Sequence, residues 1–267
     1  MTASVDAPAR LSVDGAVATI ALNRPGRLNA IDVEAANCLR HLGAEVSARD
    51  DVRVLVIEGR GSAFCAGGDM SAFAAHIDDP SALIRPLLDQ YHEFLVTLRT
   101  MPKVVVTKLH GAVAGAGLSL AFMGDVAVAA ADARFVPGYA KLGVSPDGGG
   151  TIGLTDRAGT RRALQIFLGT DSFTADQAAR WGLVDAVVPR DELDAAVANQ
   201  AARFARNAPA ALAATKRLVG RDTEAELRAR LEAERDALLA CMATDYFRAA
   251  VHRFMAASTG RSTGRPT

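Results

Sequence analysis

Two apolar runs, each of strand length, constrain the fold of this chain most strongly. They are Val52–Ile57, interrupted by Arg53, and Val104–Leu109. The helix-length segment Leu83–Arg99 lies between them, and a third short apolar run follows at Val126–Ala130. Strands that are apolar on both faces must be covered on both faces, and helix-length connections allow neighbouring strands to run parallel. The pattern therefore predicts an α/β fold with right-handed crossovers.

A hairpin and an amphipathic helix are predicted before the first of these runs. The segments Leu11–Val13 and Val17–Leu22 flank the dipeptide Asp14-Gly15, which is typical of tight turns between antiparallel strands. Apolar residues then recur at helical spacing over residues 32–47. A β-hairpin and a helix are therefore expected to lead into the first buried strand.

The last third of the chain changes to helical patterns and sets the predicted domain organisation. The four-residue patterns that begin at Thr174 and Thr223 are capping boxes, which mark the start of helices. We predict an α/β core over residues 1–190 and a helical C-terminal subdomain over 191–257. The short polar segment 258–267 is expected to be a disordered tail.

Composition excludes several classes of function. Lys plus Arg and Asp plus Glu number 30 each, which gives a net charge of zero and argues against a nucleic-acid-binding or membrane-binding surface. The three cysteines are widely spaced and form no cluster with histidine, so we predict neither a metal site nor a disulfide framework. The sequence shows no secretory signal pattern and no apolar run of membrane-spanning length. We expect a soluble, cytoplasmic protein.

Two turns rich in small residues follow the predicted buried strands. Phe64–Met70 reads Phe-Cys-Ala-Gly-Gly-Asp-Met, and Gly111–Gly117 reads Gly-Ala-Val-Ala-Gly-Ala-Gly. Small residues allow a ligand to approach the backbone, and a helix that starts at such a turn presents unpaired N–H groups. The second turn is not a dinucleotide fingerprint, because Leu120 stands where Gly or Ala is required. Both turns are candidates for binding a polar group through the backbone.

A third segment, Phe135–Gly150, places Asp147 between a proline and three glycines. From the residues alone, Asp147 is either a turn or helix-cap residue or a carboxylate that a rigid turn holds near a reactive carbon. In this order the three segments resemble the crotonase superfamily of enoyl-CoA hydratases and isomerases. Asn23–Ala30 and Trp181–Val184 extend the resemblance, which spans roughly residues 10–255.

The resemblance implies a crotonase-type spiral of ββα units with a helical C-terminal subdomain used for trimerisation. It implies an acyl-CoA substrate, a homotrimer or a hexamer made of two trimers, and no cofactor beyond the coenzyme A of the thioester. It also implies an oxyanion hole formed by the backbone N–H groups of Ala66 and Ala116. The coenzyme A groove would be formed by Arg27, Leu28, Ala66, Gly68, Asp69, Met70 and Ala116. From the residues alone, Arg27 reads better as a solvated surface charge, and Asp69 either caps a turn or contacts coenzyme A.

The chain departs from the hydratase pattern inside the implied substrate pocket. Hydratases of the superfamily hold and split water with two glutamates, and the matching positions here are Ser119 and Tyr139. Neither side chain can act as a carboxylate base. Asp147 lies where Δ3,Δ2-enoyl-CoA isomerases, including those for ring-epoxidised phenylacetyl-CoA, and dienoyl-CoA isomerases carry a catalytic aspartate. We therefore predict an enoyl-CoA isomerase in which Asp147 shuttles a proton between two carbons of an oxyanion-stabilised enolate.

Three alternative functions stay open. One is an enoyl-CoA hydratase of fatty acid β-oxidation, and another is an acyl-CoA-binding protein without catalysis. The third is dehalogenase-like chemistry with Asp147 as nucleophile, because the spacing of His92 from Ala116, Tyr139 and Asp147 is that of 4-chlorobenzoyl-CoA dehalogenase. His92 is therefore a candidate for the substrate pocket, although a histidine satisfied within its helix is the better interpretation.

Overall fold

The computed structural model describes residues 7–220 and 222–262, with side chains described as far as residue 257. Nine strands in this part of the chain form two sheets. They are β1 (Ala9–Asp14), β2 (Val17–Leu22), β3 (Val54–Gly59), β4 (Val104–Leu109), β5 (Ala112–Ala114), β6 (Val126–Ala130), β7 (Arg134–Val136), β8 (Phe173–Thr174) and β9 (Ala186–Val188). The larger sheet has the order β1-β2-β3-β4-β6-β9, and the smaller has the order β5-β7-β8. The predicted hairpin forms between β1 and β2, and every later pair in the larger sheet is parallel.

Eleven α-helices connect and cover these strands within the described residues. They are α1 (Val33–Ala48), α2 (Met70–Ala75), α3 (Ser81–Thr100), α4 (Ala116–Met123), α5 (Tyr139–Leu142), α6 (Gly150–Gly169), α7 (Ala175–Arg180), α8 (Leu193–Ala205), α9 (Pro209–Val219), α10 (Glu224–Met242) and α11 (Asp245–Ser262). The capping boxes predicted at Thr174 and Thr223 are both present and begin α7 and α10. The mixed α/β architecture predicted from the apolar runs is confirmed.

The two apolar faces of the central strands are buried against different layers. Leu55 and Val105 face the main core, which also contains residues of α1, α3, α4 and α6. Val54 and Val106 face the opposite side, where α8 covers them. This burial on both faces explains why the strand sequences are continuous apolar runs rather than alternating ones.

Sharp corners between β4 and β5 and between β6 and β7 turn the chain from the larger sheet into the smaller one. His110 and Gly111 alone separate β4 from β5. Gly111 has a φ of 54°, and a Cβ at this position would lie 1.9 Å from the carbonyl oxygen of Ser62. Only glycine fits such a corner. The sequence β4-β5-α4 followed by β6-β7-α5 is the spiral of ββα units that the resemblance implied.

The C-terminal helices pack onto this spiral. Helix α10 packs along α3, whereas α11 packs against α2 and α5. Helix α11 continues to Ser262, so residues 258–262 of the predicted disordered tail have helical backbone, and residues 263–267 lie outside the described part of the chain. Within the described residues, no helix is long and apolar enough to cross a membrane.

Candidate active site

A largely apolar cavity of about 280 Å³ lies between the two small-residue turns and the C-terminal helices. Its floor includes the backbone of Ala66 and Ala116, and Tyr91 of α3 forms part of one wall. The charged residues among its described lining are Lys141 and Asp147. Helices α10 and α11 close the far side with Leu238, Met242, Phe247 and Phe254. The described lining is therefore largely apolar, and Asp147 is its one carboxylate.

The two turns meet because short bridges tie them together. Cys65 forms a parallel bridge with Val113, which brings the first turn alongside β5. Gly67 has a φ of 100°, and a Cβ there would lie 2.9 Å from the carbonyl oxygen of Ala114 and 3.4 Å from the nitrogen of Ala116. Ala116 is the first residue of α4, so its N–H has no acceptor within the helix. The structure thus brings the backbone nitrogens of both turns to one cavity.

The N–H of Ala66 is already hydrogen-bonded within the protein. It donates to the carbonyl oxygen of Leu28 at 2.9 Å. Leu28 and Asn29 have φ values of 49° and 58°, a left-handed conformation that non-glycine residues adopt only when the surroundings impose it. The buried Asn29 amide donates to the carbonyl oxygens of Arg60 and Ala63 at 2.9 and 2.8 Å. These contacts hold the loop in place, so that the Leu28 carbonyl oxygen accepts a hydrogen bond from Ala66, one of the two predicted oxyanion donors.

Asp69 ties the same loop to helix α2 at the mouth of the cavity. Its carboxylate accepts the N–H of Ser71 at 3.1 Å as the N-cap of α2, and Arg27 donates to it at 2.8 Å. Burial opposes ionisation, but the hydrogen bonds from Ser71 and Arg27 hold the pKa of Asp69 below its ordinary value. Asp69 therefore caps a turn and pairs with Arg27, while the neighbouring Gly68 and Met70 line the cavity.

Two polar side chains fix the backbone of Asp147. Ser119 donates to the Asp147 carbonyl oxygen at 2.7 Å, and the Ser119 oxygen lies 2.8 Å from the Tyr139 hydroxyl. Burial raises the pKa of Asp147 to about 6, although hydrogen bonds from Tyr139 and from its own N–H act in the opposite direction. Ser119 is fully buried and does not line the cavity, although the sequence placed it in the substrate pocket. Tyr139 does line the cavity, as predicted.

Residues 12–259 match the family described as Enoyl-CoA hydratase/isomerase. The chain belongs to the enoyl-CoA hydratase/isomerase family. It is 35% identical over 256 residues to the 1,2-epoxyphenylacetyl-CoA isomerase of Escherichia coli K12, which covers 95% of this chain and 97% of that relative. It is 31% identical over 253 residues to the 2,3-dehydroadipyl-CoA hydratase of the same strain, covering 93% and 96%. The sequence resemblance to the crotonase superfamily is thereby confirmed, and the relatives include both isomerases and hydratases.

Solved structures agree on the fold of this enzyme family member. The crystal structure of an enoyl-CoA hydratase from Bacillus halodurans superimposes with a TM-score of 0.87 at 23% identity. The match covers 92% of this chain and 99% of that one. At this level of identity the likeness establishes the crotonase fold alone, so the reaction must be read from the side chains that face the cavity.

His92 does not reach the cavity of this family member. Tyr91 faces the cavity and donates to the Ala116 carbonyl oxygen at 3.1 Å. The next residue along a helix is rotated by about 100°, so His92 points into a separate groove lined by Arg228 and Arg235. Burial lowers the pKa of His92 to about 4. The structure therefore places His92 outside the cavity, because the spacing between residues of separate elements does not fix how α3 is rotated relative to the cavity.

Glu234 is a residue near the site that the sequence reasoning missed. It is buried on α10 and accepts hydrogen bonds from the start of α6, immediately after Asp147. A signal was present in the sequence. Leu227, Leu231 and Leu238 define the apolar face of α10, and position 234 falls on that same face at helical spacing. A glutamate on an apolar face needs buried partners, which is a sign of a specific role.

Proposed function

We propose that this enzyme is an enoyl-CoA isomerase that moves a carbon–carbon double bond from the Δ3 to the Δ2 position of an acyl-CoA thioester. The observation that carries this proposal is the position of Asp147, the one carboxylate among the described residues that line the cavity. A pKa raised to about 6 makes Asp147 a stronger base than an ordinary aspartate and leaves it ionised at neutral pH.

The proposed reaction is a proton transfer within the bound substrate. The thioester oxygen takes the N–H groups of Ala66 and Ala116, and it replaces the Leu28 carbonyl as the acceptor of the Ala66 N–H. Asp147 removes a proton from C2, which lies between the carbonyl and the double bond, and the electron pair delocalises into a dienolate. The protonated Asp147 then returns the proton at C4, so the double bond ends conjugated with the thioester and the carboxylate is regenerated.

Typical magnitudes indicate how much the backbone N–H groups and the Asp147 side chain each contribute to the rate. One oxyanion donor typically stabilises the transition state by ~3 kcal/mol. A positioned general base contributes roughly 10²–10⁴-fold in rate. Because the dienolate charge develops in a largely apolar cavity, both devices act with little screening by water. Neither is sufficient alone, and Ala66, Ala116 and Asp147 together supply both.

The polar groups around the cavity support isomerisation over hydration. Hydration needs one group to take a proton from water and another to protonate the α-carbon. The Ser119 hydroxyl already donates its hydrogen bond to the Asp147 carbonyl oxygen. Burial raises the pKa of Tyr139 well above its ordinary value, so Tyr139 stays neutral. The 1,2-epoxyphenylacetyl-CoA isomerase relative lends further support, while the hydratase relative makes water addition the alternative to be tested.

We further propose that the groove beside the cavity binds the coenzyme A part of the thioester, with no other cofactor. Arg27 lies at the mouth with its side chain 61% exposed and is oriented by Asp69, so it can meet an anionic group from solvent. Leu28 is 44% exposed beside it. An exposed guanidinium next to an exposed apolar side chain suits a ligand that carries both phosphates and apolar segments.

We also propose assembly into a homotrimer or a hexamer of two trimers. Apolar side chains on α6 and α9 lie largely exposed in the single chain, namely Leu164, Leu168, Leu218 and Val219. Clusters of exposed apolar residues commonly mark contacts between proteins. Sedimentation equilibrium should give three or six times the mass of one chain, and a monomer at micromolar concentration would contradict the proposal.

The decisive test compares Asp147→Asn with Asp50→Asn, an exposed control of the same chemistry. Conversion of a 3-enoyl-CoA, followed by the absorbance of the conjugated thioester, should fall roughly 10²–10⁴-fold in the first variant and stay unchanged in the second. Deuterium from heavy water should appear at C2 and C4 only with an intact Asp147. Full activity of Asp147→Asn would refute the proposal, and rapid water addition to a 2-enoyl-CoA would favour the hydratase.

A further inference from the structure

We infer that Glu234 is a positioning residue of this enzyme, which holds the turn that carries the Asp147 carboxylate. The inference rests on the proposed role of Asp147. It assigns a function in the reaction to α10, a helix that sequence analysis treated as part of an assembly subdomain.

Three hydrogen bonds connect Glu234 to the chain directly after Asp147. Its carboxylate accepts the N–H of Gly149 at 2.7 Å, the N–H of Thr151 at 2.9 Å and the hydroxyl of Thr151 at 2.5 Å. These donors belong to the first turn of α6, which has no intrahelical acceptors for them. A carboxylate at a helix N-terminus is also stabilised by the helix dipole. Glu234 therefore caps α6 from a distant part of the sequence.

The turn itself cannot supply this cap. Gly149 occupies the N-cap position of α6 with a φ of 79°, and a Cβ there would lie 2.6 Å from the sulfur of Met123. A Cβ on Gly148 would lie 2.9 Å from the ring of Tyr91. Neither position has room for a capping side chain. The close packing that places Asp147 at the cavity thus requires an acceptor from another element, and Glu234 provides it.

Asp147 is consequently held from both sides. Ser119 of α4 fixes its carbonyl oxygen, and Glu234 of α10 fixes the nitrogen of Gly149, two residues later. The two anchors lie on different helices, so a shift of either helix would change the direction in which the Asp147 carboxylate points. Displacements of about 1 Å at a reacting group can cost on the order of 10²-fold in rate.

The charges of the two carboxyl groups are coupled. Glu234 is only 6% exposed. Burial raises its pKa to about 7, hydrogen bonds from Thr151 and Gly149 oppose this, and the charge of Asp147 raises it further. Among the described residues, Tyr139 and Tyr91 also face the pair, and burial raises their pKa values well above the ordinary one, so both stay neutral. Lys141 lines the same cavity, and its ammonium pairs with Asp171 at 2.9 Å. Since Asp147 ionises at the lower pH, its charge raises the pKa of Glu234, whereas Glu234 is still largely protonated when Asp147 ionises.

The test compares Glu234→Gln with Glu232→Gln, an exposed glutamate two residues away on the same helix. In Glu234→Gln, kcat for the 3-enoyl-CoA should fall about 10- to 100-fold with little change in KM. The acid limb of its kcat/KM profile should stay near pH 6, because Glu234 is still largely protonated at the pH where Asp147 ionises. Glu232→Gln should leave both unchanged. Wild-type kcat in folded Glu234→Gln would overturn the inference.

Two further variants keep the test informative. If Glu234→Gln does not fold, Thr151→Val removes one hydrogen bond but keeps the Glu234 charge. It should lower kcat by a smaller factor without moving the acid limb, and an unaltered kcat would count against the inference. Asp147→Asn separates the two proposals. If this variant stays active, the proposed function fails; if it is inactive while Glu234→Gln behaves as wild type, only the role of Glu234 fails.

Discussion

The carbonyl oxygen of Leu28 accepts the backbone N–H of Ala66 at 2.9 Å. Since this N–H is one of the two donors proposed for the thioester oxygen, substrate must replace one hydrogen bond with another rather than fill an open donor. The exchange leaves no donor unsatisfied in either state, because the Ala66 N–H always has an acceptor. The strained loop that carries Leu28 is also the loop proposed to contact coenzyme A, which links binding of the nucleotide portion to formation of the oxyanion hole.

Replacement of Leu28 by glycine tests the proposed contact between this loop and coenzyme A. Glycine adopts the φ of 49° without steric cost, so relief of strain should offset the greater flexibility of the unfolded chain and leave stability within about 1 kcal/mol. Loss of the exposed leucyl side chain should raise KM for acyl-CoA several-fold while kcat changes less than about two-fold. Steady-state kinetics with full acyl-CoA would check this, and a large fall in kcat with unchanged KM would contradict it.

The raised pKa of Asp147 predicts opposite effects of pH on activity and stability. Activity requires the carboxylate, so kcat/KM should rise through about pH 6 and level off above it. The folded protein binds this proton more tightly than the unfolded chain, so the associated stability is present below about pH 4 and is lost as pH rises through about 6.

Asp147→Asn should therefore be more stable than the wild type at pH 7, by up to about 3 kcal/mol. The difference should shrink to less than about 1 kcal/mol near pH 4, where the folded Asp147 is protonated and the unfolded carboxyl is about half protonated. Chemical denaturation at pH 4 and pH 7 measures both values. A variant that is equally or less stable than the wild type at pH 7 would argue against a desolvated carboxylate at this position.

Ser119→Ala should impair catalysis although the serine does not touch the cavity. Its hydroxyl donates to the Asp147 carbonyl oxygen at 2.7 Å, and its loss leaves that end of the turn with one anchor fewer. We expect kcat to fall about 10-fold, KM to stay nearly constant and stability to drop by about 1–2 kcal/mol. Ser71→Ala, which removes a side-chain hydrogen bond to Asp69 rather than one to Asp147, is the matched control and should retain its kcat.

His92→Leu should leave the reaction intact. His92 faces the groove between α3 and α10 rather than the cavity. Its pKa, lowered to about 4 by burial, means that the folded protein binds this proton less tightly than the unfolded chain. Its contribution to stability is full above about pH 6.5 and is lost as pH falls through about 4. The variant should keep wild-type kcat and resist acid unfolding better, whereas a loss of activity would revive dehalogenase-like chemistry.

Local sequence patterns were sufficient to predict the helices and strands and the two turns rich in small residues. The hairpin at Asp14-Gly15, the capping boxes at Thr174 and Thr223, and the buried strands β3 and β4 all appear as predicted. These features depend on propensities and hydrogen bonds within a few residues, so the sequence near each one determines it. The glycines of the turns are informative for a similar reason, because a positive φ or a close backbone contact excludes other residues.

The residues that surround Asp147 could not be predicted from local sequence patterns. Ser119 reads as a substrate-pocket residue in sequence but donates a hydrogen bond to the Asp147 carbonyl oxygen in the structure. His92, a candidate for the pocket, faces a separate groove, and its neighbour Tyr91 lines the cavity. Glu234, 87 positions after Asp147, caps the helix that starts beside it. Each of these relationships joins residues from different elements, and no local rule specifies how those elements are oriented.

The sequence by itself determined that this is an α/β chain with two backbone-donor turns, a lone aspartate after a Ser-Pro pair and no second carboxylate in the pattern. Tertiary structure alone decided that the Leu28 carbonyl accepts the Ala66 N–H and that Glu234 of α10 accepts a hydrogen bond from the turn after Asp147. The physical reason is that charge, burial and hydrogen-bond acceptance depend on distances between atoms far apart in the chain, and only packing sets those distances.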